Sequence, residues 1–397
     1  MKIAVLIGDG MGDYPLPELG GKTPLQAAAI PNMRAIAGAG AVRLVNTVPA
    51  GMSPGSDVAN LSIMGFDPRQ YYTGRAPIEA AGAGIAMGPN DVAFRCNLIA
   101  VEQELIKDHS SGHITTEEAR PLIAALNERL GRPGLAFHVS AGYRHLLIWE
   151  NGPSELVTIP PHDVLGQPAA RNLPTGARQD EVRRLMEASK PIITTHPANV
   201  ARRQAGKTVP TQIWLWGQGL RTTLPAYRDL FGLTGSVISA VDLVRGIGKL
   251  TGLNAVIVPG ATGFLDTNYA GKVQAALDAL DRDDFVFVHV EAPDECGHMG
   301  DLKLKLKAIE AFDREVVGPV WRGLEAMRRP YRLILATDHR TPVAVRNHTA
   351  EPVPVAVLSG PVSNTGREAP FDEFVNGGQA GGMAFEWLKT QIGGRQS

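Results

Sequence analysis

Cysteine is nearly missing from this chain. Cys96 and Cys296 are its only two in 397 residues. They lie far apart, which argues against a disulfide framework and against a thiolate-rich structural zinc site, and favours a reducing compartment. Also missing is any apolar run approaching the ~18–20 residues that a membrane helix needs. The N-terminal IAVLIG is too short for a signal-peptide core and runs into Asp9 and Gly10 rather than a small-residue cleavage site. A cytoplasmic protein without a membrane partner is expected. Charge of one sign is lacking too: 39 basic and 40 acidic residues give a formal net charge of −1. No stripe for nucleic acid is therefore expected. Neither G-x-G-x-x-G nor G-x-x-x-x-G-K-[ST] follows the first apolar run. GGKTPLQAA (20–28) has a Lys and a Thr without that spacing, so nucleotide binding has no support from either motif.

Glycine (44) and proline (29) are plentiful, as in proteins built from many tight turns. Between the turns lie short β-branched runs: 2–8, 40–48, 254–260, 284–290, 332–337 and 353–359. Near-continuous apolar strands suit a sheet covered on both faces. Helical patterns alternate with them at 239–252, 268–281 and 302–327, the last long enough for two helices or one bent at Pro319. The expected fold is α/β, with a mostly parallel sheet flanked by helices. From about Asp91 to Gly206 the pattern changes to strand-like runs separated by TTEEARPLIAALNERLG and QDEVRRLMEASKPII. This reads as an α+β insertion at 91–206 that leaves a discontinuous core at 1–90 and 207–397.

Residues of metal-ligand type recur where strands end. Asp9 follows the first run, at the carboxyl edge where open α/β sheets bind ligands. In VHVEAPDECGH, Asp294 and His298 are spaced i, i+4, which aims both at one point if the chain turns helically. Asp338 and His339 end another run, and His348 precedes the next. Carboxylate with imidazole suits Zn²⁺ or Mn²⁺. Any one of these pieces is ordinary, a surface ion pair or an Asp–Gly turn; their repetition at three strand ends and one adjoining loop is not. Ser56, in PGSDVAN, stands where Pro and Gly give way to a helical pattern. Such a serine is usually an N-cap. The same position also offers a hydroxyl beside free backbone N–H groups and a favourable dipole for a phosphoryl anion.

Fourteen ordered motifs resemble the cofactor-independent phosphoglycerate mutases of archaeal type, in the alkaline phosphatase superfamily. Among them are LIGDGMGDYP, PGSDVANLSIMGFDP, YYTGRAPIEAAGAGI, SSGHITTEEA, PPHDVLGQP, PGATGFLDTNYAGK, VHVEAPDECGHMGD, TDHRTP and HTAEPVPV. The resemblance runs over nearly the whole chain. It implies an alkaline-phosphatase-like core and Ser56 as the phosphorylated nucleophile. It also implies one metal at Asp9, Ser56, Asp338 and His339 and a second at Asp294, His298 and His348. Two divalent ions are implied as cofactors, Mn²⁺ first, with Zn²⁺, Co²⁺ and Mg²⁺ as alternatives, and no 2,3-bisphosphoglycerate. The implied reaction interconverts 3- and 2-phosphoglycerate, a step of glycolysis and gluconeogenesis. The inserted module would close over this small phosphorylated substrate with Arg75, Asp108, His113, Arg144, His162 and Asp163. Each of these also has a plain structural reading: Asp163 as a turn cap, His162 as a core histidine, Arg144 as half of an ion pair. Two alternatives share the metal site: a homoserine kinase-like phosphotransferase and a metal-dependent phosphatase. A catalytically silent metal-binding protein is a fourth, disfavoured because no ligand position is empty. Oligomeric state is not legible.

Overall fold

The apolar runs form one eight-stranded sheet. Its strands are β1 (Lys2–Gly8), β2 (Ala41–Asn46), β3 (Gly235–Ile238), β4 (Asn254–Val256), β5 (Phe285–Val290), β6 (Tyr331–Ala336), β7 (Val353–Gly360) and β8 (Ala380–Met383). This is a computed structural model, and it describes residues 1–362 and 366–393. The order across the sheet is β4-β3-β5-β1-β6-β7-β2-β8. Every pairing is parallel except the two made by β7, with β6 and β2. The sheet is thus mostly parallel, as the continuous apolar strands imply: all of β5 is buried, and β1 is buried from Ile3 onward.

β1 lies at the centre, with Leu6 opposite both Val288 of β5 and Leu335 of β6. Three adjacent parallel strands therefore deliver their carboxyl ends side by side. Two helices follow from there, α2 (Ala292–Met299) and α3 (Leu302–Phe312), and α1 (Ser56–Ile63) precedes them in the chain. The 302–327 pattern breaks into α3, a π-helical turn at Asp313–Val317 and a helix at Gly318–Ala326. The irregular turn lies just before Pro319, whose missing N–H leaves the regular ladder without one bond.

The chain divides into two units, Met1–Tyr72 with Leu224–Ser397, and Thr73–Thr223. The second is wider than 91–206 for a physical reason. Strand Gln212–Leu220 pairs antiparallel with Asp91–Glu102, and helix Arg75–Ala83 packs on both, so each flank belongs with the sheet it touches. Arg144–Glu150 and Leu105–Asp108 also pair with Asp91–Glu102, and Leu135–His138 completes this antiparallel sheet. Helix Thr116–Leu130 starts in a capping box: Thr115 Oγ1 accepts from Glu118 N, and Glu118 Oε2 accepts from Thr115 N. Its apolar face and that of Gln179–Thr195 enclose a core with Phe94, Leu98, Leu147 and Trp214. Among the described residues no helix is long and apolar enough to cross a membrane.

Candidate active site

The carboxyl ends of β1, β5 and β6 bring together the ligand-type residues of the core unit. Asp9 is the first residue past β1, Asp294 and His298 lie on α2 directly after β5, and Asp338 and His339 follow β6. His348 comes from the loop that returns the chain into β7. Two groups form: Asp9, Asp338 and His339; and Asp294, His339 and His348. His298 joins the second group from its rim, with Nε2 at 3.3 Å from Asp294 Oδ2 and 2.9 Å from His348 Nε2. His348 Nε2 is 3.4 Å from Asp294 Oδ1.

Ser56 opens α1 as its first helical residue rather than as its cap. The capping position is Gly55, and Ser56 is buried with its Oγ 3.1 Å from His339 Nε2. Asn60, one turn on, donates Nδ2–H both to Ser56 O and to Asp338 Oδ2, at 2.8 Å each. Asn60 was not among the residues singled out in the sequence; its i, i+4 spacing from Ser56 is the signal that could have marked it. Gly10 has no room for a side chain. Its φ is +61°, and a Cβ there would stand 2.6 Å from Asp294 Oδ1.

The hydrogen bonds fix which ring nitrogens are free. Thr341 Oγ1 donates to Asp294 Oδ1 at 2.5 Å and can then accept from His339 Nδ1–H at 3.2 Å. The Nε2 lone pair of His339 is left facing Ser56 and Asp9. His298 Nδ1–H donates to Arg346 O at 3.0 Å, which likewise turns its Nε2 toward Asp294. Such outer partners typically orient imidazole ligands of a metal.

Electrostatics point the same way. Burial raises the Asp9 carboxyl well above the usual carboxylate range, and Asp338, Asp294 and Glu291 add to it. Burial also raises Asp338. For Asp294 the effect of burial is outweighed by His298 and His348, which hold it well below its ordinary value. Burial likewise depresses His298, but Asp294 overcomes this and lifts the imidazole to about 9. Asp9 Oδ1 is buried and has no hydrogen-bond partner. An orphaned carboxylate oxygen, two imidazole Nε2 atoms 2.9 Å apart and three crowded buried carboxylates fit divalent cations, which would satisfy all of them.

In the second unit, a chain of ring and guanidinium contacts runs from Arg75 to Arg144. Arg75 pairs with Glu79 at 2.8 Å and lies 6.0 Å from the Trp216 ring. Trp216 also meets Arg95 at 4.5 Å and His162 at 5.6 Å. His109 links His162 to Tyr143, and Arg144 lies over Tyr143 at 5.5 Å. Arg95, His109 and Trp216 were not picked out as binding groups from sequence. Trp216 is 5% exposed, so most of its ring is packed into the core of this unit. Asp108, His113 and Asp163 stand outside this chain. Asp108 closes its own turn by accepting from Ser110 N, Ser110 Oγ and Gly112 N. His113 and Asp163 are exposed, with Asp163 Oδ1 3.6 Å from His162 Nε2.

Comparison with known proteins agrees with this geometry. A family profile described as 2,3-bisphosphoglycerate-independent phosphoglycerate mutase matches residues 37–199. A probable mutase of that name from Geobacter sulfurreducens is 49% identical over 377 residues, covering 94% of each chain. The Methanosarcina mazei enzyme of that name is 48% identical, again over 94% of each. Among solved structures, a Pyrococcus horikoshii protein superposes with a TM-score of 0.79 at 27% identity, covering 99% of this chain and 97% of that one. The cofactor-independent phosphoglycerate mutase of Thermoplasma acidophilum shares the fold, with a TM-score of 0.62 at 22% identity over 99% of both. By sequence and by fold, then, this chain belongs to the 2,3-bisphosphoglycerate-independent phosphoglycerate mutase family.

Proposed function

We propose that this protein interconverts 3-phosphoglycerate and 2-phosphoglycerate through a phosphoserine at Ser56. The observation that carries the reading is the position of the Ser56 hydroxyl, at a helix N-terminus and 3.1 Å from His339 Nε2, beside two convergent groups of Asp and His. Relatives named for this activity are 48–49% identical along 94% of the chain.

Asp9, Ser56, Asp338 and His339 would hold one divalent cation and Asp294, His298 and His348 another. The chemistry such a pair supplies when bound is acidification of the serine hydroxyl and neutralisation of phosphoryl charge. Mn²⁺ is the first choice for this oxygen-and-nitrogen donor set, with Zn²⁺, Co²⁺ and Mg²⁺ as alternatives. Ser56 Oγ attacks phosphorus in line. The bond from phosphorus to O3 of the substrate breaks, and O3 takes a proton, leaving glycerate and phosphoserine. Glycerate turns over, and its 2-hydroxyl gives up its proton and attacks the same phosphorus; the bond to Oγ breaks, Oγ regains a proton, and 2-phosphoglycerate forms. N–H groups at the start of α1 favour the transferred anion. In the second unit, Arg75 and Arg144 would bind the substrate carboxylate and phosphate. Asp108, His113, His162 and Asp163 are the groups offered for moving the proton.

The test is an assay for 3- to 2-phosphoglycerate conversion without 2,3-bisphosphoglycerate, run beside homoserine with a nucleoside triphosphate. Conversion of phosphoglycerate alone is expected. Phosphorylation of homoserine with no mutase activity would overturn the reading, as would simple release of inorganic phosphate.

A further inference from the structure

His289 lies in the otherwise apolar β5 and is 1% exposed. A buried imidazole in the middle of a sheet needs partners, and both its ring nitrogens have one. Nε2 is 2.9 Å from Asp9 Oδ2, and Nδ1 is 3.3 Å from Ser239 Oγ. A carboxylate that holds a cation is ionised and can only accept, so Nε2 carries the proton and donates. In the neutral ring Nδ1 then accepts from the Ser239 hydroxyl, and Ser239 Oγ in turn accepts from Val241 N–H at 3.0 Å. One directed chain of hydrogen bonds thus crosses three neighbouring strand ends: Ser239 just past β3, His289 in β5, and Asp9 just past β1. The backbone of His289 is held as well, since Lys272 Nζ donates to its carbonyl at 2.8 Å.

The consequence falls on Asp9. Its Oδ2 is occupied by His289, and its Oδ1 is buried, without a hydrogen bond, 3.4 Å from His339 Nε2. A carboxylate free to rotate would present either oxygen, or both. This one presents only Oδ1. We infer that His289, oriented by Ser239, is a positioning residue that fixes Asp9 so that Oδ1 alone is offered to a cation. The inference rests on the two-cation reading above and adds to it a side chain that touches neither substrate nor metal.

The experiment strips the full chain with a chelator and titrates it with Mn²⁺, reading stoichiometry and affinity by calorimetry and the bound ion by electron paramagnetic resonance. Wild type should bind two ions. His289→Ala should weaken one of the two by about 10- to 100-fold, the usual effect of losing an outer-sphere partner, and leave the other unchanged. His289→Gln restores a donor and should bind closer to wild type than His289→Ala. Ser239→Ala, which keeps the ring but removes its orienting hydroxyl, should weaken the same ion by less, and it serves if His289→Ala does not fold. A merely structural role predicts a different pattern, with both ions weakened together in step with lost urea stability of the metal-free protein. That pattern, or unchanged affinity in both His289→Ala and Ser239→Ala, would overturn the inference. Fewer than two ions bound by wild type would overturn the two-cation reading, and the inference with it.

Discussion

Ser56 Oγ and His339 Nε2 stand 3.1 Å apart, so the hydroxyl that opens α1 meets an imidazole three residues past β6. The contact joins residues 283 positions apart in the chain. It also gives Ser56 a role that a cap does not need, because the capping position belongs to Gly55.

Ser56→Ala should therefore abolish transfer while leaving the Asp and His ligands in place. The expected loss in kcat is at least about 10³-fold, since removing the nucleophile of a cooperating set costs most of its rate enhancement. Mn²⁺ should still bind at both sites, more weakly at the one that loses the serine oxygen. Rapid-quench kinetics together with metal analysis check both halves.

Chelation should do more than stop the reaction. Asp9, Asp294 and Asp338 are all buried, and removing cations leaves their charges facing one another. The metal-free protein should be less stable in urea. Adding an ion at 100 times its dissociation constant should return about 2.7 kcal/mol per site, if the unfolded chain binds none. A stability that does not depend on Mn²⁺ concentration would count against the cation sites.

Lys305 staples two ligand loops from beneath. Its Nζ donates to Asp13 Oδ2 at 2.8 Å, Gly12 O at 3.0 Å and Thr341 O at 2.8 Å, and both members of the ion pair are fully buried. Gly12 and Asp13 follow Asp9, and Thr341 follows His339. Lys305→Met leaves Asp13 buried and unpaired, at a cost of about 3–5 kcal/mol. Combining it with Asp13→Asn should recover part of that loss, because the orphaned charge is gone. Equilibrium denaturation of the three variants measures it.

His145 sets a pH dependence in the second unit. It is buried, with Nδ1 accepting from Ser140 N at 3.2 Å, and burial pushes its pKa down to about 3. The unfolded chain takes up this proton near pH 6.5 and the folded chain does not until about 3. Between those values the unfolded state binds more protons, so stability rises with pH and is lost on acidification. The slope from this group approaches ~1.4 kcal/mol per pH unit below about pH 6. His145→Asn keeps an acceptor without a titrating ring and should flatten that part of the profile. Urea midpoints at pH 7 and pH 5 test it.

Much of the core unit was legible because burial on two faces leaves a plain signature. The runs 2–8 and 284–290 became β1 and β5 almost residue for residue. The run 254–260 did not, since only Asn254–Val256 pairs before Pro259 and Gly260 turn the chain away. The ligand-type residues could be read because Asp9, Asp294, Asp338 and His339 lie within four residues of a strand's end, with His298 one helical turn beyond Asp294 and His348 in the loop before the next strand. His289, Asn60 and Thr341 could not be read in the same way: their roles come from partners far along the chain, 280 residues away at Asp9, 278 at Asp338 and 47 at Asp294. In the second unit, Arg95 and Trp216 are hidden in strands whose apolar pattern reads as packing. Only the cross-strand pairing of Arg95 with Trp216 sets guanidinium over indole.

The central claim is that one phosphoryl group passes through Ser56. Acid-quenching the Mn²⁺-loaded protein with 3-phosphoglycerate, followed by peptide mass spectrometry, tests it most directly. The account predicts a phosphoryl group on the peptide containing Ser56, formed and lost at rates that match turnover, and absent in Ser56→Ala. Phosphate on another residue, or undiminished mutase activity in Ser56→Ala, would contradict it.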